Sequence, residues 1–379
     1  MNSNIAQTPP LSLTPLFTPF RCGALRLTNR FVMSPMTRAF SPDHVLSPEA
    51  PAYYARRVTG GCNMVVTEGV AIPHPVSHLS NRIPNLSDAS RPRWKLVADA
   101  VHQAGGAIMA QLWHAGPFRY RQETLNPDMP SIAASAIEGS DAREMSERDI
   151  AAVIDAYAQA AVQARAAGLN GVEIHGAHGY LPDQFFWHET NRRTDGYGGP
   201  ITNRVRFACE LVAEIRRRTA PDFPIMFRFL QWKQDKYEAR VAETPQELEA
   251  WLVPLAEAGV DIFDASTRRF WLPEFPGSPL NLAGWAKKVT GKASMTVGSV
   301  GLESPLEVSK IGEMEAANLS LANLSLLLEM FARGDFDLVA LGRIILTNPD
   351  WPLIAQSGRY AAISPYDPKA MAERLECGL

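Results

Sequence analysis

Short β-rich segments recur along the chain, and each is followed by a helical pattern. Parallel strands joined by crossover helices produce this alternation. The segments number eight, which is the strand count of a closed (β/α)8 barrel. The predicted strands are Phe31–Ser34, Met64–Glu68, Ile108–Gln111, Val172–His175, Ile225–Arg228, Ile262–Asp264, Met295–Gly298 and Leu338–Leu341. We therefore predict an α/β protein with the (β/α)8 TIM-barrel fold.

Amphipathic segments lie between the predicted strands, and several carry signals for helix ends. Ser146 precedes Asp149 by three residues, and Thr244 precedes Glu247 in the same way, as in capping boxes. An Ala-Gly pair closes two of the segments, as expected for helix C-caps. The predicted helices are Arg91–Ala104, Ser146–Ala167, Asn203–Arg218, Thr244–Ala258 and Glu303–Arg333, the last of which contains the near-duplication ANLSLANLSL.

Length and composition fit one large globular unit. The chain has 379 residues, of which 46% are hydrophobic and 20% charged, enough apolar material for a large core. Barrels with insertions reach this length as one domain, and no Gly/Ser-rich linker divides the chain. We predict a flexible tail at residues 1–10 and a single barrel domain at residues 11–379, with an N-terminal cap and loop insertions.

Charge and hydropathy argue against several classes of protein. With 37 basic and 40 acidic residues the net charge is −3, and without long Lys/Arg runs a nucleic acid partner is not expected. The chain shows no signal-peptide pattern and no apolar run long enough to cross a bilayer, so we expect a cytoplasmic protein without membrane association. The sequence does not indicate an oligomeric state.

Two further cofactor classes are not expected from the sequence. The four cysteines form no Cys-X-X-Cys pair of the kind that holds zinc or an iron–sulfur cluster; they are Cys22, Cys62, Cys209 and Cys377. No G-x-G-x-x-G follows a predicted strand, which argues against a Rossmann dinucleotide domain.

Polar residues are concentrated where the predicted strands end. In a barrel these C-terminal ends form the open mouth and supply the reactive side chains. Gly298-Ser299 and Gly342-Arg343 follow the last two strands, where barrels commonly bind a phosphate through close backbone N–H groups. The other residues at strand ends are Thr37, Arg38, Glu68, Gln111, His114, His175, His178, Tyr180 and Arg228. This distribution predicts a site for a phosphate-bearing ligand.

His175 and His178 form the strongest candidate pair. One ends a strand and the other lies in the following loop, so both imidazoles could reach one carbonyl oxygen. Glu173 shares a strand face with His175, which leaves a metal site as an alternative, although we predict none. Each histidine could also simply hydrogen-bond to neighbouring backbone.

Two long segments resemble the Old Yellow Enzyme family. They are NRFVMSPMTR at residues 29–38 and VEIHGAHGYLPDQFFWHETNRRTDGYGG at residues 172–199. Shorter matches (YYARR, TEG, QLWHAG, TVGSVG and LGR) extend the resemblance over nearly the whole chain. It implies tightly bound, non-covalent FMN, NADPH or NADH as reductant, and reduction of the C=C bond of a small α,β-unsaturated carbonyl, nitro or maleimide compound by ping-pong hydride transfer.

The resemblance also implies roles for individual residues. His175 and His178 would bind the substrate carbonyl, and Tyr180 would protonate the α-carbon. Thr37 would hydrogen-bond to flavin O4, and Gln111 would contact the pyrimidine edge of the flavin. The remaining residues predicted to bind the cofactor are Pro35, Met36, Gly69, Arg228 (near flavin N1 and O2), Gly298, Ser299, Gly342 and Arg343.

Two tryptophans are predicted to contact the substrate, and both have a structural alternative. Trp113 matches a pocket aromatic of the family, whereas Trp271 could cap the site from the loop after the sixth strand. Both could equally be packing residues, as could Tyr180, and Arg228 could belong to a structural ion pair. Leu230 departs from the small polar residue expected there, so the sequence does not predict the shape of the pocket after the fifth strand.

Two other functions remain open for the whole protein. An FMN barrel could have another physiological role, such as quinone or nitro reduction or dehydrogenation, although the lack of clustered cysteines argues against the iron–sulfur relatives. A non-catalytic flavin-binding protein is the second alternative. A scaffold would not need the polar set at the barrel mouth, which argues against that alternative.

Overall fold

The computed structural model describes residues 11–233, 236–303, 317–368 and 375. Eight parallel strands follow one another around a closed barrel, and the last pairs with the first. They are β1 (Phe31–Met33), β2 (Met64–Ala71), β3 (Ala107–Trp113), β4 (Gly171–His175), β5 (Ile225–Phe229), β6 (Ile262–Ser266), β7 (Ala293–Val297) and β8 (Leu338–Leu341). The predicted (β/α)8 fold and all eight predicted strands are confirmed, although β2 and β3 run further toward the mouth than expected.

Helices surround the barrel, and two small strand pairs lie outside it. The helices are α1 (Ala50–Thr59), α2 (Arg91–Gln103), α3 (Glu147–Ala166), α4 (Leu181–Phe186), α5 (Ile201–Arg204), α6 (Arg206–Arg218), α7 (Pro245–Ala258), α8 (Leu282–Thr290), α9 (Leu321–Ala332), α10 (Arg343–Thr347) and α11 (Trp351–Gln356). The strand pairs join Phe20–Cys22 to Leu25–Leu27 and Ile132–Ala133 to Arg143–Glu144. In the described ranges no helix has the length and apolarity needed to cross a membrane.

The capping signals act as the sequence predicts, with one difference. At the start of α3 the Ser146 hydroxyl accepts the N–H of Asp149, and the Asp149 carboxylate accepts the N–H of Ser146, a complete capping box. At the start of α7 the Thr244 hydroxyl accepts the N–H of Glu247, but the Glu247 carboxylate accepts the N–H of Glu243 instead. The second signal therefore stabilises the helix start through only one half of the box.

The predicted helix Glu303–Arg333 is wrong over its described N-terminal part. Helix α9 begins only at Leu321, and residues 304–316 lie outside the described residues. Leu319 forms an antiparallel bridge with Leu302, and Ala317 forms one with Tyr366. The first ANLS of the duplication therefore starts in extended backbone, because pairing with distant segments outweighs its local helical pattern.

Side-chain alternation along the strands divides the core into two parts. The residues of one parity face the barrel interior, and those of the other parity pack beneath the helices. Near the N-terminal ends the interior is apolar and closed by Phe20, Leu25 and Leu27 of the first strand pair. Toward the C-terminal ends the same parity carries polar side chains: Gln111, Glu173, His175, Arg228, Asp264 and Ser266. The interior therefore becomes polar toward the mouth.

Candidate active site

A cavity of about 430 Å³ lies at the C-terminal ends of the strands. It is formed by the segments after β1, β5, β6, β7 and β8, together with the loop after β4. The predicted site residues that line it are Pro35, Met36, Thr37, His178, Arg228, Gly298, Ser299, Gly342 and Arg343. The predicted residues outside its lining are Gly69, Gln111, Trp113, His175, Tyr180 and Trp271.

The turns after β7 and β8 fit a phosphate-bearing ligand. Gly298 and Ser299 both have positive φ, 137° and 55°, and a Cβ on Gly298 would lie 2.5 Å from the Thr267 carbonyl oxygen. A Cβ added to Gly342 would meet no atom within 4 Å, so its backbone faces open space in the cavity. The half-buried Arg343 guanidinium donates to the Ser299 hydroxyl at 3.4 Å. Accessible backbone and a cation therefore converge at the turns where the sequence predicts a phosphate site.

Three predicted catalytic residues form one cluster beside the cavity. The ring centroid of His175 lies 5.1 Å from that of His178 and 4.8 Å from that of Tyr180. Trp113 packs edge-to-face on Tyr180 at 4.8 Å. His178 links the cluster to the cavity and has a positive φ of 61°, a backbone strain of the kind found at functional sites. The fold thus brings together the residues that the sequence suggested, apart from Trp271.

The protonation states of this cluster follow from burial. Burial lowers the pKa of His175 well below its usual range, and burial with the nearby Arg228 and Lys233 charges lowers the pKa of His178 to about 3. Both imidazoles are therefore neutral at pH 7. The Nδ1 of His175 is buried without a hydrogen-bond partner in the described residues, and His178 Nε2 lies 3.1 Å from the Ser266 hydroxyl. Burial raises the pKa of Tyr180, so its phenol keeps its proton.

The position of the Trp113 side chain requires a glycine at residue 69. A Cβ on Gly69 would lie 2.4 Å from Cε3 of the Trp113 indole, which is buried. The glycine of the TEG motif therefore makes room for the tryptophan that supports Tyr180. Trp271 instead packs on Phe270, with ring centroids 5.2 Å apart, and lies outside the cavity lining.

Arg228 and Gln111 have buried carboxylate partners that sequence reasoning missed. Arg228 donates to Asp264 at 2.7 Å and to the hydroxyls of Ser34 and Ser266 at 3.3 Å. Gln111 donates to Glu173 at 2.6 Å. The ion pair considered for Arg228 is thus present, although the residue also lines the cavity. The position of Asp264 at the end of a predicted strand was the available signal.

Metal binding gains no support from the structure. Over the described ranges, no three His, Cys, Asp or Glu side chains are grouped in a way that could hold a metal ion. Glu173, the third ligand considered with the histidine pair, accepts a hydrogen bond from Gln111 instead.

Glu68 holds the segment after β1 in place, a function that sequence reasoning did not assign. Its Oε2 accepts the backbone N–H groups of Arg38 at 3.0 Å and Ala39 at 3.1 Å, directly after Thr37. Glu68 in turn donates its own N–H to the Tyr54 hydroxyl at 3.0 Å. Burial raises the pKa of Glu68 to about 7, although the two backbone N–H groups oppose this shift.

Glu68 should make stability depend on pH. Its folded pKa of about 7 lies above the unfolded value of about 4.3, so the stability it contributes is full at low pH and is lost as pH rises through 7. From pH 5 to pH 8 we expect the wild type to lose on the order of 2 kcal/mol relative to Glu68→Gln, whose amide oxygen can accept the same N–H groups. Urea unfolding of both proteins at the two pH values measures this difference. A constant difference would show that Glu68 is ionised throughout.

Several known proteins are similar to this chain in sequence. The model of the NADH:flavin oxidoreductase / NADH oxidase family matches residues 15–310. An NADH oxidase of Thermoanaerobacter brockii is 32% identical over 357 residues, covering 91% of this chain and 51% of the relative, so the chain spans about half the length of that protein. Chanoclavine-I aldehyde reductase of Penicillium roqueforti is 32% identical over 371 residues, covering 94% of this chain and 92% of the relative.

A solved structure supports the same assignment. Morphinone reductase in complex with tetrahydroNAD superposes with a TM-score of 0.77 at 27% identity, covering 94% of this chain and 93% of that chain. The family match over most of the chain, the relatives and the shared barrel agree with the motifs at the mouth. The chain therefore belongs to the Old Yellow Enzyme family of NADH:flavin oxidoreductases, whose members use FMN and a nicotinamide reductant.

Proposed function

We propose that this protein is an FMN-dependent ene-reductase that uses NAD(P)H to reduce the C=C bond of small α,β-unsaturated carbonyl compounds. The observation that carries the proposal is the cluster of His175, His178 and Tyr180 beside the cavity at the barrel mouth. Two neutral hydrogen-bond donors next to a protonated phenol suit an acceptor that must be polarised at oxygen and protonated at carbon.

The residues lining the cavity would hold the cofactor. Gly298, Ser299, Gly342 and Arg343 would bind its phosphate, while Thr37 and Arg228 would contact the ring. When bound, FMN supplies hydride transfer, accepting hydride from the nicotinamide and donating it to the unsaturated acceptor. These assignments are proposals that rest on the cavity lining and on the motifs.

The catalytic cluster would act on the acceptor carbonyl and the α-carbon. His175 and His178 would donate N–H groups to the carbonyl oxygen and stabilise the negative charge that develops there. Because both are neutral at pH 7, this stabilisation would come from hydrogen bonding rather than from a full positive charge. Tyr180 would transfer its phenolic proton to the α-carbon of the resulting enolate.

The visible spectrum of the purified protein tests this proposal. We expect a yellow flavin chromophore that bleaches with NADPH or NADH under anaerobic conditions and recovers when 2-cyclohexenone is added. Bleaching without recovery on the enone, but with recovery on a quinone, would favour the other role considered for an FMN barrel. A colourless protein that cannot be reconstituted with FMN would overturn the proposal.

Trp232 should control the size of the acceptor. It lines the cavity, its ring lies 5.6 Å from that of His178, and its indole N–H donates to the Ser266 carbonyl at 3.3 Å.

The loop that carries Trp232 is fixed to the segment before Tyr180. The neighbouring Lys233 forms a buried 2.6 Å ion pair with Asp183, and Asp183 also accepts the N–H of Gly179. Trp232→Ala should therefore raise kcat/KM for bulky enones relative to 2-cyclohexenone about tenfold.

Trp271→Ala is the matched control for this prediction. It removes the same side chain from a position that packs on Phe270 outside the cavity lining. We expect Trp271→Ala to leave the ratio of kcat/KM values within about twofold of the wild type, since the cavity wall is unchanged. An equal change in both variants, measured with the same two acceptors, would show that Trp232 does not define the pocket.

A further inference from the structure

Four buried polar side chains of neighbouring strands form a connected cluster inside the barrel. Gln111 on β3 is the register partner of Glu173 on β4, and Arg228 on β5 is the register partner of Asp264 on β6. Glu173 and Asp264 are 0% exposed. We refer to Gln111, Glu173, Arg228 and Asp264 as the carboxyl cluster.

The hydrogen bonds of the carboxyl cluster leave one buried oxygen on each acid without a donor. Gln111 donates to Glu173 Oε1 at 2.6 Å, and Arg228 donates to Asp264 Oδ2 at 2.7 Å. The two carboxyl groups lie close enough for each to shift the pKa of the other. The other oxygens, Glu173 Oε2 and Asp264 Oδ1, are buried and have no N–H or O–H donor among the described residues. One proton held between these two oxygens would give each of them a hydrogen-bond partner, which two carboxylates without a proton cannot provide for each other.

Charge balance leads to the same result. With both acids ionised, the cluster would hold two negative charges and the single positive charge of Arg228, leaving one uncompensated charge in the barrel interior. Such a charge is costly in a medium of low dielectric constant. His175 and His178, which lie nearby, are neutral and cannot offset it. One bound proton makes the cluster neutral.

We propose that Glu173 and Asp264 share one proton and act as positioning residues that fully compensate the charge of Arg228. Burial and the neighbouring Asp264 charge raise the pKa of Glu173 well above its usual range, against the opposing effect of Arg228. Asp264 is the carboxylate that pairs with Arg228, whereas Glu173 accepts only the neutral Gln111 amide, so the proton is held mainly by Glu173. Arg228 then offers directed N–H groups to the cavity, but no net charge.

The shared proton has a consequence for the cofactor, and this step rests on the proposed function. A compensated Arg228 would favour the reduced flavin less than an isolated guanidinium would, because negative charge gathers at the pyrimidine edge on reduction. Glu173 and Asp264 would thus adjust the reduction potential without touching the flavin. Glu173→Gln preserves the neutral cluster, whereas Glu173→Gln combined with Asp264→Asn leaves one uncompensated positive charge.

Infrared spectroscopy tests the shared proton directly and does not depend on FMN. Glu68 has a pKa of about 7 and is therefore ionised at pH 9, so it contributes no band of a protonated acid. We expect the carbonyl stretch of a protonated carboxylic acid to persist at pH 9, and we assign it to the carboxyl cluster. Glu173→Gln should abolish this band and Glu68→Gln should leave it unchanged. Absence of the band in the wild type, or its survival in Glu173→Gln, would overturn the proposal.

A redox titration of the FMN-loaded proteins tests the compensation of Arg228. We expect Glu173→Gln to shift the flavin reduction equilibrium less than twofold, and the double variant to shift it at least tenfold toward the reduced form, which is about 30 mV for two electrons. Equal potentials in the wild type and the double variant would overturn the compensation. If the protein binds no FMN, the proposed function fails, while the infrared result still decides whether the proton is shared.

Discussion

His175→Ala is expected to slow acceptor reduction by about 10²- to 10³-fold, the usual cost of removing one donor from a site that stabilises an oxyanion. The side chain packs between Trp113, His178 and Tyr180 and is not part of the lining of the cavity proposed to hold FMN. FMN affinity should therefore change less than about threefold. Stopped-flow oxidation of the reduced enzyme by 2-cyclohexenone measures the first effect, and flavin fluorescence measures the second.

His102→Ala is a suitable control for His175→Ala. It removes a histidine whose Nε2 contacts Asn170 outside the cavity, so both measurements should stay at wild-type values. If His175→Ala weakened FMN binding as much as it slowed acceptor reduction, the residue would be part of the cofactor site or the fold rather than a ligand of the substrate.

Tyr180→Phe is expected to lower the rate of alkene reduction by about 10²- to 10⁴-fold, the range for loss of a general acid. The phenylalanine keeps the ring contacts with Trp113, His175 and Phe118 and loses only the proton. Reduction of the flavin by NAD(P)H should be unchanged, because that step needs no proton at carbon. Separate stopped-flow measurements of the two half-reactions distinguish these effects.

Quinone acceptors sharpen the test of Tyr180. A quinone takes up hydride and proton at oxygen, which exchanges protons with water, so its reduction should survive Tyr180→Phe while that of 2-cyclohexenone does not. Tyr120→Phe, at an exposed position on the loop after β3, should affect neither acceptor. Equal losses with both acceptors would mean that Tyr180 shapes the pocket and does not donate the proton.

The sequence predicted the features that depend on local chemistry. Strand periodicity and caps such as Ser146 with Asp149 act over a few residues, so the eight strands and the helices α2, α3, α6 and α7 could be recognised without tertiary contacts. The long motifs at residues 29–38 and 172–199 led to the family in the same way, and the comparisons confirmed it. Three statements stay predictions: the individual roles of the site residues, the single barrel domain at residues 11–379, and the tail at residues 1–10, which lies outside the described range.

Barrel closure decided which distant residues meet. Arg228 and Asp264 are 36 residues apart in the sequence, and Lys233 and Asp183 are 50 residues apart. Each pair forms a buried ion pair that no local sequence pattern predicts. Such partners become necessary only when a charge leaves water, because a buried charge must be paired or neutralised. Tertiary pairing also explains why ANLS occurs twice but is helical only at residues 322–325, since Ala317 and Leu319 of the first copy pair with distant segments. The residue types at the mouth are thus a property of the sequence, whereas their charge states and partners arise from the fold.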